Sequence, residues 1–458
     1  MAKKAAVNGT HVLEDVVPVR KKKRRGEARE PSFKLTRKMM LDPDPVKRRA
    51  AHTAFMLENA RQFNREFPDE SAGVSGLMGA QTIGIYVPSI VMQYQLQCNV
   101  LPLSRLYAVV GKEGSFKSAF ATEIGRWFSK YNGWGTVFEA ESKWSDKFSR
   151  SIQGYDYPSL TVIGCYSQDD WQRKMQHEIR KLTRAMGGYN GKPGHGRYVP
   201  YLFVLDSLSG RDAAETMERI EKKGSPTRAF SEEARKNTQY FRKITADIAK
   251  EPMSILVVNH LKEGKDERGF TERRKPGGFH VGFNVSVEWQ MDRLGRRRIV
   301  GDETLMDLSI KCYKNALGDT SRSVPVSVHW RYDPDPDHPG ELRQVTYFDW
   351  YEALPRLIFM LAEEGTMGKD AIKATGLVKV NNNSCYSPAL GFNSTKAMSF
   401  QEMGGKISQN KELSKRLLEI FQVQKHRPLL PLVDYRVQRA GIQRELDREL
   451  SRQIELLK

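Results

Sequence analysis

Cysteine is scarce in this 458-residue chain: Cys98, Cys165, Cys312 and Cys385 lie far apart, with no C-x-x-C pair. Their spacing supports neither a zinc site nor a disulfide framework, and reads most simply as four buried thiols in a reducing compartment. Long apolar runs are missing as well. No stretch approaches the roughly 18 uninterrupted apolar residues of a membrane helix, so no membrane insertion is expected. The opening MAKKAAVNGT has no apolar core behind it, which argues against a secretory signal. No internal repeat is visible. Acid is short relative to base, with 55 Asp and Glu against 74 Lys and Arg, leaving a formal net charge of +19. Such a field attracts polyanions, and nucleic acid is the commonest one an intracellular protein meets. An intracellular, nucleic-acid-associated protein is therefore expected.

What remains is the composition of a soluble globular protein, 39% hydrophobic and 28% charged. At about 150 residues per domain, the length suggests two or three units. Residues 1–30 read as a disordered basic arm carrying an unbroken run from Arg20 to Arg25. A block of like charge repels itself and serves either as a nucleic-acid-binding tail or as a localisation signal. Residues 31–74 read as a helical segment, with Ala54, Leu57, Ala60 and Phe63 at helical spacings and Pro45 near its start. It could dock on a neighbouring subunit or pack on its own core.

Residues 75–349 alternate between strand-like and helix-like patterns. LYAVV (106–110), GTVFEAES (135–142), LTVIGCY (160–166), YLFVLDS (201–207) and SILVVNH (254–260) are apolar runs. Their continuity is typical of parallel strands covered on both faces. Helices are expected from Ser118 to about Tyr131, through Trp144 and Phe148, through Trp171, Met175, Ile179, Leu182 and Met186, and through Phe241, Ile244 and Ile248. Ser167 with Asp170 reads as a capping box. Strands alternating with such helices imply βαβ crossovers and a mainly parallel sheet. After Gly278, VGFNVSVEWQMD, RRRIVG, LMDLSIKCYKN and SVPVSVHWRYD follow without helices between them, as antiparallel strands would. From about Trp350 the chain turns helical to residue 458, ending on an i,i+4 stripe of Ile442, Leu446, Leu450 and Ile454. That stripe is too short for a long supercoil and reads as a docking face.

The chemistry concentrates at the ends of these strands. A strand, a glycine-bearing loop and a helix that opens on a lysine and a hydroxyl make a phosphate cradle, because successive backbone N–H groups converge on one anion. Gly111, Lys112, Glu113, Gly114, Ser115, Phe116, Lys117, Ser118 and Ala119 form this stretch. Lys117 is expected on the β/γ-phosphates of ATP and Ser118 on Mg²⁺. The usual pattern is G-x-x-x-x-G-K-[ST], and Phe116 stands at the second glycine. Such a side chain is tolerable if it points away from the phosphates and its backbone angles are ordinary. Asp206 closes its strand, as required of a carboxylate that holds a Mg²⁺-bound water opposite Ser118. Glu141 could accept a proton from the attacking water, and His260 could sense the γ-phosphate. In an open parallel sheet, ligands bind beyond the carboxyl ends of the strands, so these positions converge.

The order GKEGSFKS, FEAES, YLFVLDS, VVNH, KPGGFHVGFNVSVEWQ and KCYKNA resembles the RecA family of strand-exchange recombinases over roughly residues 75–335. Phe-Lys-Ser in the loop and Asn-His at the strand end are most similar to its phage branch, the UvsX-type recombinases. The resemblance implies an α/β fold: a RecA-like P-loop ATPase core whose mainly parallel central sheet is extended by antiparallel strands, with a helical N-terminal segment and a helical C-terminal lobe. It implies that Glu141 activates water, Phe148 stacks on adenine, His260 couples the γ-phosphate to a DNA-binding loop, and Lys314 reaches the neighbouring subunit's ATP. The family's Lys-Asn-Lys motif reads Lys314-Asn315-Ala316 here, without its second lysine.

The resemblance places two DNA-binding loops near 216–231 and 261–278. The first carries Arg219, Lys222, Lys223 and Arg228. The second carries Lys262, Lys265, Arg268, Arg273, Arg274 and Lys275, with Phe270 able to stack on bases. The implied activity is DNA-stimulated ATP hydrolysis coupled to homologous pairing and strand exchange by a helical homo-oligomeric filament. Single-stranded DNA and homologous duplex DNA are the expected partners, with a single-strand-binding or mediator protein as a loading factor. Two other readings stay open: a hexameric helicase on the same fold, and a nucleotide-binding DNA scaffold with little catalytic activity.

Overall fold

The computed structural model describes residues 39, 42–66, 83–131, 133–141, 144, 151, 160–185, 199–208, 226–249, 251–265, 271–274, 284–336, 338–426, 428–429 and 435–457. The chain divides into two compact units, Met1–Met56 with Leu450–Lys458, and Leu57–Glu449. In chain order the helices are α1 (Pro45–Glu66), α2 (Ile90–Leu96), α3 (Lys117–Ser129), α4 (Gln168–Ala185), α5 (Pro226–Ile248), α6 (Trp350–Glu363), α7 (Lys369–Thr375), α8 (Phe400–Gln409), α9 (Lys411–Ile420) and α10 (Tyr435–Glu455). Among the described residues, no helix is long and apolar enough to cross a membrane.

The larger unit is built on a nine-stranded sheet. Its strands are β3 (Leu106–Gly111), β4 (Trp134–Glu139), β5 (Leu160–Gly164), β6 (Tyr201–Asp206), β7 (Met253–His260), β10 (Val287–Val300), β11 (Glu303–Asn315), β12 (Ser323–Pro334) and β13 (Leu342–Asp349). They lie in the order β13-β12-β11-β10-β3-β7-β6-β4-β5. The six strands from β10 to β5 run parallel, and β10 to β13 form an antiparallel wing. Two small antiparallel pairs accompany the sheet: β1 (Gly84–Tyr86) with β2 (Val100–Pro102), and β8 (Lys262–Lys265) with β9 (Thr271–Arg274). A three-stranded sheet of β14 (Val378–Lys379), β15 (Ser384–Tyr386) and β16 (Met398–Ser399) sits among the later helices.

The apolar runs are continuous because each strand feeds two cores. Tyr107, Val109, Leu202, Val204, Leu256 and Val258 enter one core with Phe120, Ile124 and Trp127 of α3. Their alternating neighbours Leu106, Ala108, Phe203, Leu205, Ile255 and Val257 enter the other with Trp171, Met175 and Ile179 of α4 and Phe241 and Ile244 of α5. Each Val, Leu, Ile, Phe or Met side chain among them contributes about 1.5–3 kcal/mol on full burial.

Several expectations shift in detail. VEWQMD and RRRIVG belong to one strand, β10, whose first half pairs parallel with β3 and whose second half runs on into the wing. At the start of α4, Ser167 Oγ accepts from the Asp170 N–H at 3.2 Å, but the Asp170 carboxylate reaches back to the Tyr166 N–H instead of the Ser167 N–H. Against a desolvation effect of opposite sign, hydrogen bonds from Lys174 and Arg173 bring the Asp170 carboxyl down to about 2. The helix expected through Trp144 and Phe148 lies outside the described residues except for Trp144, which is not helical.

Candidate active site

β3 delivers Gly111 at the carboxyl edge of the sheet, level with His260 of β7 and Met291 of β10. A Cβ on Gly111 would stand 2.5 Å from both the Met291 carbonyl oxygen and Ser115 Oγ, so only glycine fits where β10 presses on the loop. The loop then folds on one carbonyl. Lys112 O accepts from Ser115 Oγ at 2.8 Å and from Lys117 Nζ at 2.7 Å. Gly114 turns the chain at φ +68°, and Arg293 of β10 donates to Gly114 O at 2.7 Å and to Glu113 O at 3.3 Å. Arg293 was not foreseen from sequence; its only signal is its place in the basic stretch RLGRRR.

Phe116 corrects the expectation of ordinary backbone angles. It takes φ 62° and ψ 26°, the left-handed conformation that a glycine would adopt, and serves as the residue before α3. For a side chain this conformation costs about 1–2 kcal/mol. The ring is held by packing: its centroid lies 5.3 Å from that of Trp330 on β12, with 41° between the planes. On Trp330, in turn, the Arg297 guanidinium lies 5.0 Å from the ring centroid. The loop thus keeps the backbone of the usual glycine while its side chain anchors on the wing.

The next strands bring up the carboxylates. Asp206 ends β6 level with Glu139 of β4. Its Oδ2 accepts from Ser118 Oγ at 2.5 Å and from Trp144 Nε1 at 2.7 Å, and the Trp144 N–H donates to Glu139 Oε1 at 3.1 Å. Two residues past β4, Glu141 Oε1 accepts from Ser207 Oγ and lies 3.2 Å from His260 Nε2. An ionised carboxylate only accepts, which puts the His260 proton on Nε2. His260 leads directly onward: the Leu261 N–H donates to Gly111 O at 3.0 Å, and β8 begins at Lys262.

The structure therefore brings Lys117, Ser118, Asp206, Glu141 and His260 to one edge. Lys314 is not among them in its own chain. It stands opposite Glu288, which is level with Ala108 near the start of β3. The basic segments also differ from the expected loops. Residues 262–265 and 271–274 form a hairpin with Lys262 opposite Arg274 and Glu263 opposite Arg273. Arg228 lies in α5, which opens on Pro226, a residue suited to the first helical position because it lacks an N–H. Phe148, Arg219, Lys222, Lys223, Arg268, Phe270 and Lys275 lie outside the described residues.

A parallel α/β sheet with a phosphate-loop-like turn at its first strand, and with carboxylates beyond the neighbouring strands, defines a RecA-like core. No family model matches the chain. Among curated proteins it is similar to the RecA protein of Thermus thermophilus, 24% identical over 285 residues covering 61% of this chain and 77% of that protein. The RecA protein of Thermus aquaticus is 23% identical over the same shares. That of Rhodopirellula baltica is 22% identical over 259 residues, 56% of this chain and 63% of that protein. These distant matches support a RecA-family relationship.

Proposed function

We propose that this chain is an ATP-dependent DNA recombinase. It would form a helical filament on single-stranded DNA and promote homologous pairing and strand exchange with DNA-stimulated ATP hydrolysis. The observation that carries this reading is the junction at His260, whose ring meets Glu141 and whose strand runs, after Leu261 alone, into a basic hairpin. In this reading residues 75–349 form the ATPase core, residues 31–74 contribute to assembly and residues 350–458 form an appended lobe. Phe116 and the Asn259-His260 strand end favour the phage UvsX-type branch within the family.

The residues fit the expected ligands. Ser118 Oγ and Asp206 Oδ2 are oxygen donors, which suits Mg²⁺, a hard cation that would neutralise developing phosphate charge when bound. Gly111 and Gly114 let Met291 and Arg293 of β10 approach the loop closely, and Lys117 supplies a positive charge beside it. Glu141 accepts a proton from water, and Ser207 and His260 hold its carboxylate in place. A change at the phosphate edge that moves Glu141 is felt at the ring of His260 and so at the hairpin. There Lys262 is the register partner of Arg274 in the backbone pairing of β8 and β9. Basic residues gathered on one such segment bind a phosphate backbone by releasing its counterions. Lys314 would act on the neighbouring subunit, which agrees with its register opposite Glu288, level with Ala108 and short of the loop after Gly111.

Electron micrographs with single-stranded DNA and a non-hydrolysable ATP analogue, together with a strand-exchange assay, test the reading. A helical filament active in exchange supports it; a closed ring that unwinds duplex overturns it.

A further inference from the structure

We propose that His329, Asp349 and Glu352 form a binding site for a divalent transition-metal ion of the Zn²⁺ type, separate from the nucleotide site. They meet where β12, the end of β13 and the first turn of α6 come together. Each offers one ligand atom, and all three atoms lie within 4.8 Å of one another.

Every sibling atom is already engaged. His329 Nδ1 lies 3.0 Å from Glu303 Oε2, Asp349 Oδ1 accepts the Glu352 N–H at 2.8 Å as the cap of α6, and Glu352 Oε1 is 2.5 Å from Arg356 Nη2. The remaining atoms face one another at ion-pair separation. His329 Nε2 stands 3.8 Å from Asp349 Oδ2 and 3.8 Å from Glu352 Oε2, beyond hydrogen-bond reach. Both His329 Nε2 and Asp349 Oδ2 lack a hydrogen-bond partner, although their residues are only 6% and 3% exposed. Buried polar atoms are almost always satisfied, so two orphans that face each other across one gap call for an occupant.

The gap suits a metal ion. A tetrahedral ion with bonds near 2.0–2.1 Å sets its ligand atoms roughly 3.3 Å apart, so the two pairs that involve His329 close by about half an ångström, and the two carboxylate oxygens, no more than 4.8 Å apart, by at most about 1.5 Å. A carboxylate on the other ring nitrogen is the arrangement that orients a metal-binding histidine. Glu303 supplies it, and is itself held by Arg331 Nη1 at 2.8 Å and by the hydroxyl of Tyr347, whose ring stacks on His329. One imidazole nitrogen with two carboxylate oxygens selects Zn²⁺ or Mn²⁺ over the all-oxygen preference of Mg²⁺ and Ca²⁺. The cysteine spacing gave no hint of this site because none of its ligands is a thiol. A bound ion would pin the start of α6 to β12, beside Trp330.

The test is equilibrium dialysis of the full chain against Zn²⁺, followed by gel filtration and elemental analysis, for wild type, Asp349→Asn and Glu352→Gln. Asparagine caps a helix as well as aspartate does, so the first variant removes the ligand and keeps the cap. The expected result is about one Zn²⁺ retained per wild-type chain, a rise in melting temperature with Zn²⁺, and loss of both in the variants. Failure of the wild type to retain stoichiometric Zn²⁺, or equal retention by the variants, overturns the site. If both variants misfold, zinc-edge X-ray absorption of the loaded wild type decides. One imidazole with oxygen neighbours supports the site, and any other ligand set overturns it.

Discussion

Replacing Phe116 with glycine and, separately, with alanine isolates the cost of a left-handed backbone under a bulky side chain. Both variants lose the half-buried ring and its contact with Trp330, a loss of about 2–3 kcal/mol once the aromatic pair is included. Only alanine keeps the Cβ that makes φ 62° unfavourable. Relief of that strain is worth about 1–2 kcal/mol, offset by about 0.5–1 kcal/mol for the greater freedom of an unfolded glycine. Phe116→Gly is therefore expected to be more stable than Phe116→Ala by about 0.75 kcal/mol, within a span of roughly 0–1.5 kcal/mol, the reverse of the order seen inside a helix. Urea midpoints at equal m-values measure the difference. Nucleotide binding, followed by calorimetry, should survive in the glycine variant. An alanine variant more stable than the glycine one would refute the strain argument, and total loss of nucleotide binding in Phe116→Gly would show that the loop has been misread.

Glu141→Gln keeps the shape that Ser207 and His260 hold but removes the proton acceptor, so DNA-stimulated ATP turnover should fall by about 10²–10⁴ with ATP affinity nearly unchanged. Lys262→Ala combined with Arg274→Ala removes one cation from each of the paired strands β8 and β9. The slope of log affinity for single-stranded DNA against log salt should then shrink by about 1.4, measured by fluorescence anisotropy. Burial pushes the thiols of Cys98, Cys312 and Cys385 up, to about 11, 12 and 12. A thiol-exchange reagent at pH 8 should leave all four buried cysteines untouched until denaturant is added. Because these folded-state values exceed the unfolded one, their contribution to stability is complete below about pH 8.5 and is lost as pH rises toward 11–12, which pH-dependent unfolding curves would show.

Much of the core was legible because its signals are local. Tyr201–Asp206 and Met253–His260 are continuous apolar runs ending in polar residues, and both became central parallel strands. The periodic face of Trp171, Met175 and Ile179 became the buried face of α4. What escaped depends on partners distant in sequence. The seven residues of α2 carry buried glutamines, Gln93 and Gln95, whose amides donate to Val87 O and to the wing at Ile310 O, so no apolar stripe announces the helix. β10 reads as two strands because its second half leaves the core, and Arg296 to Val300 are exposed. At the site, Lys117 and Ser118 follow from the strand-loop-helix pattern, and Asp206, Glu141 and His260 from their places at or just beyond strand ends. Arg293 and Trp144 do not, since each reaches its partner through folding. Phe116 was visible as an anomaly, but the αL backbone beneath it depends on the glycine-type geometry of the whole loop.

The central claim is that the nucleotide edge governs the hairpin through His260. The most direct test is the affinity for single-stranded DNA with and without a non-hydrolysable ATP analogue, in wild type and in Lys117→Ala. The account predicts that the analogue tightens binding by wild type and has no effect on the variant. Equal affinities in all four conditions, or an undiminished nucleotide effect in Lys117→Ala, would contradict it.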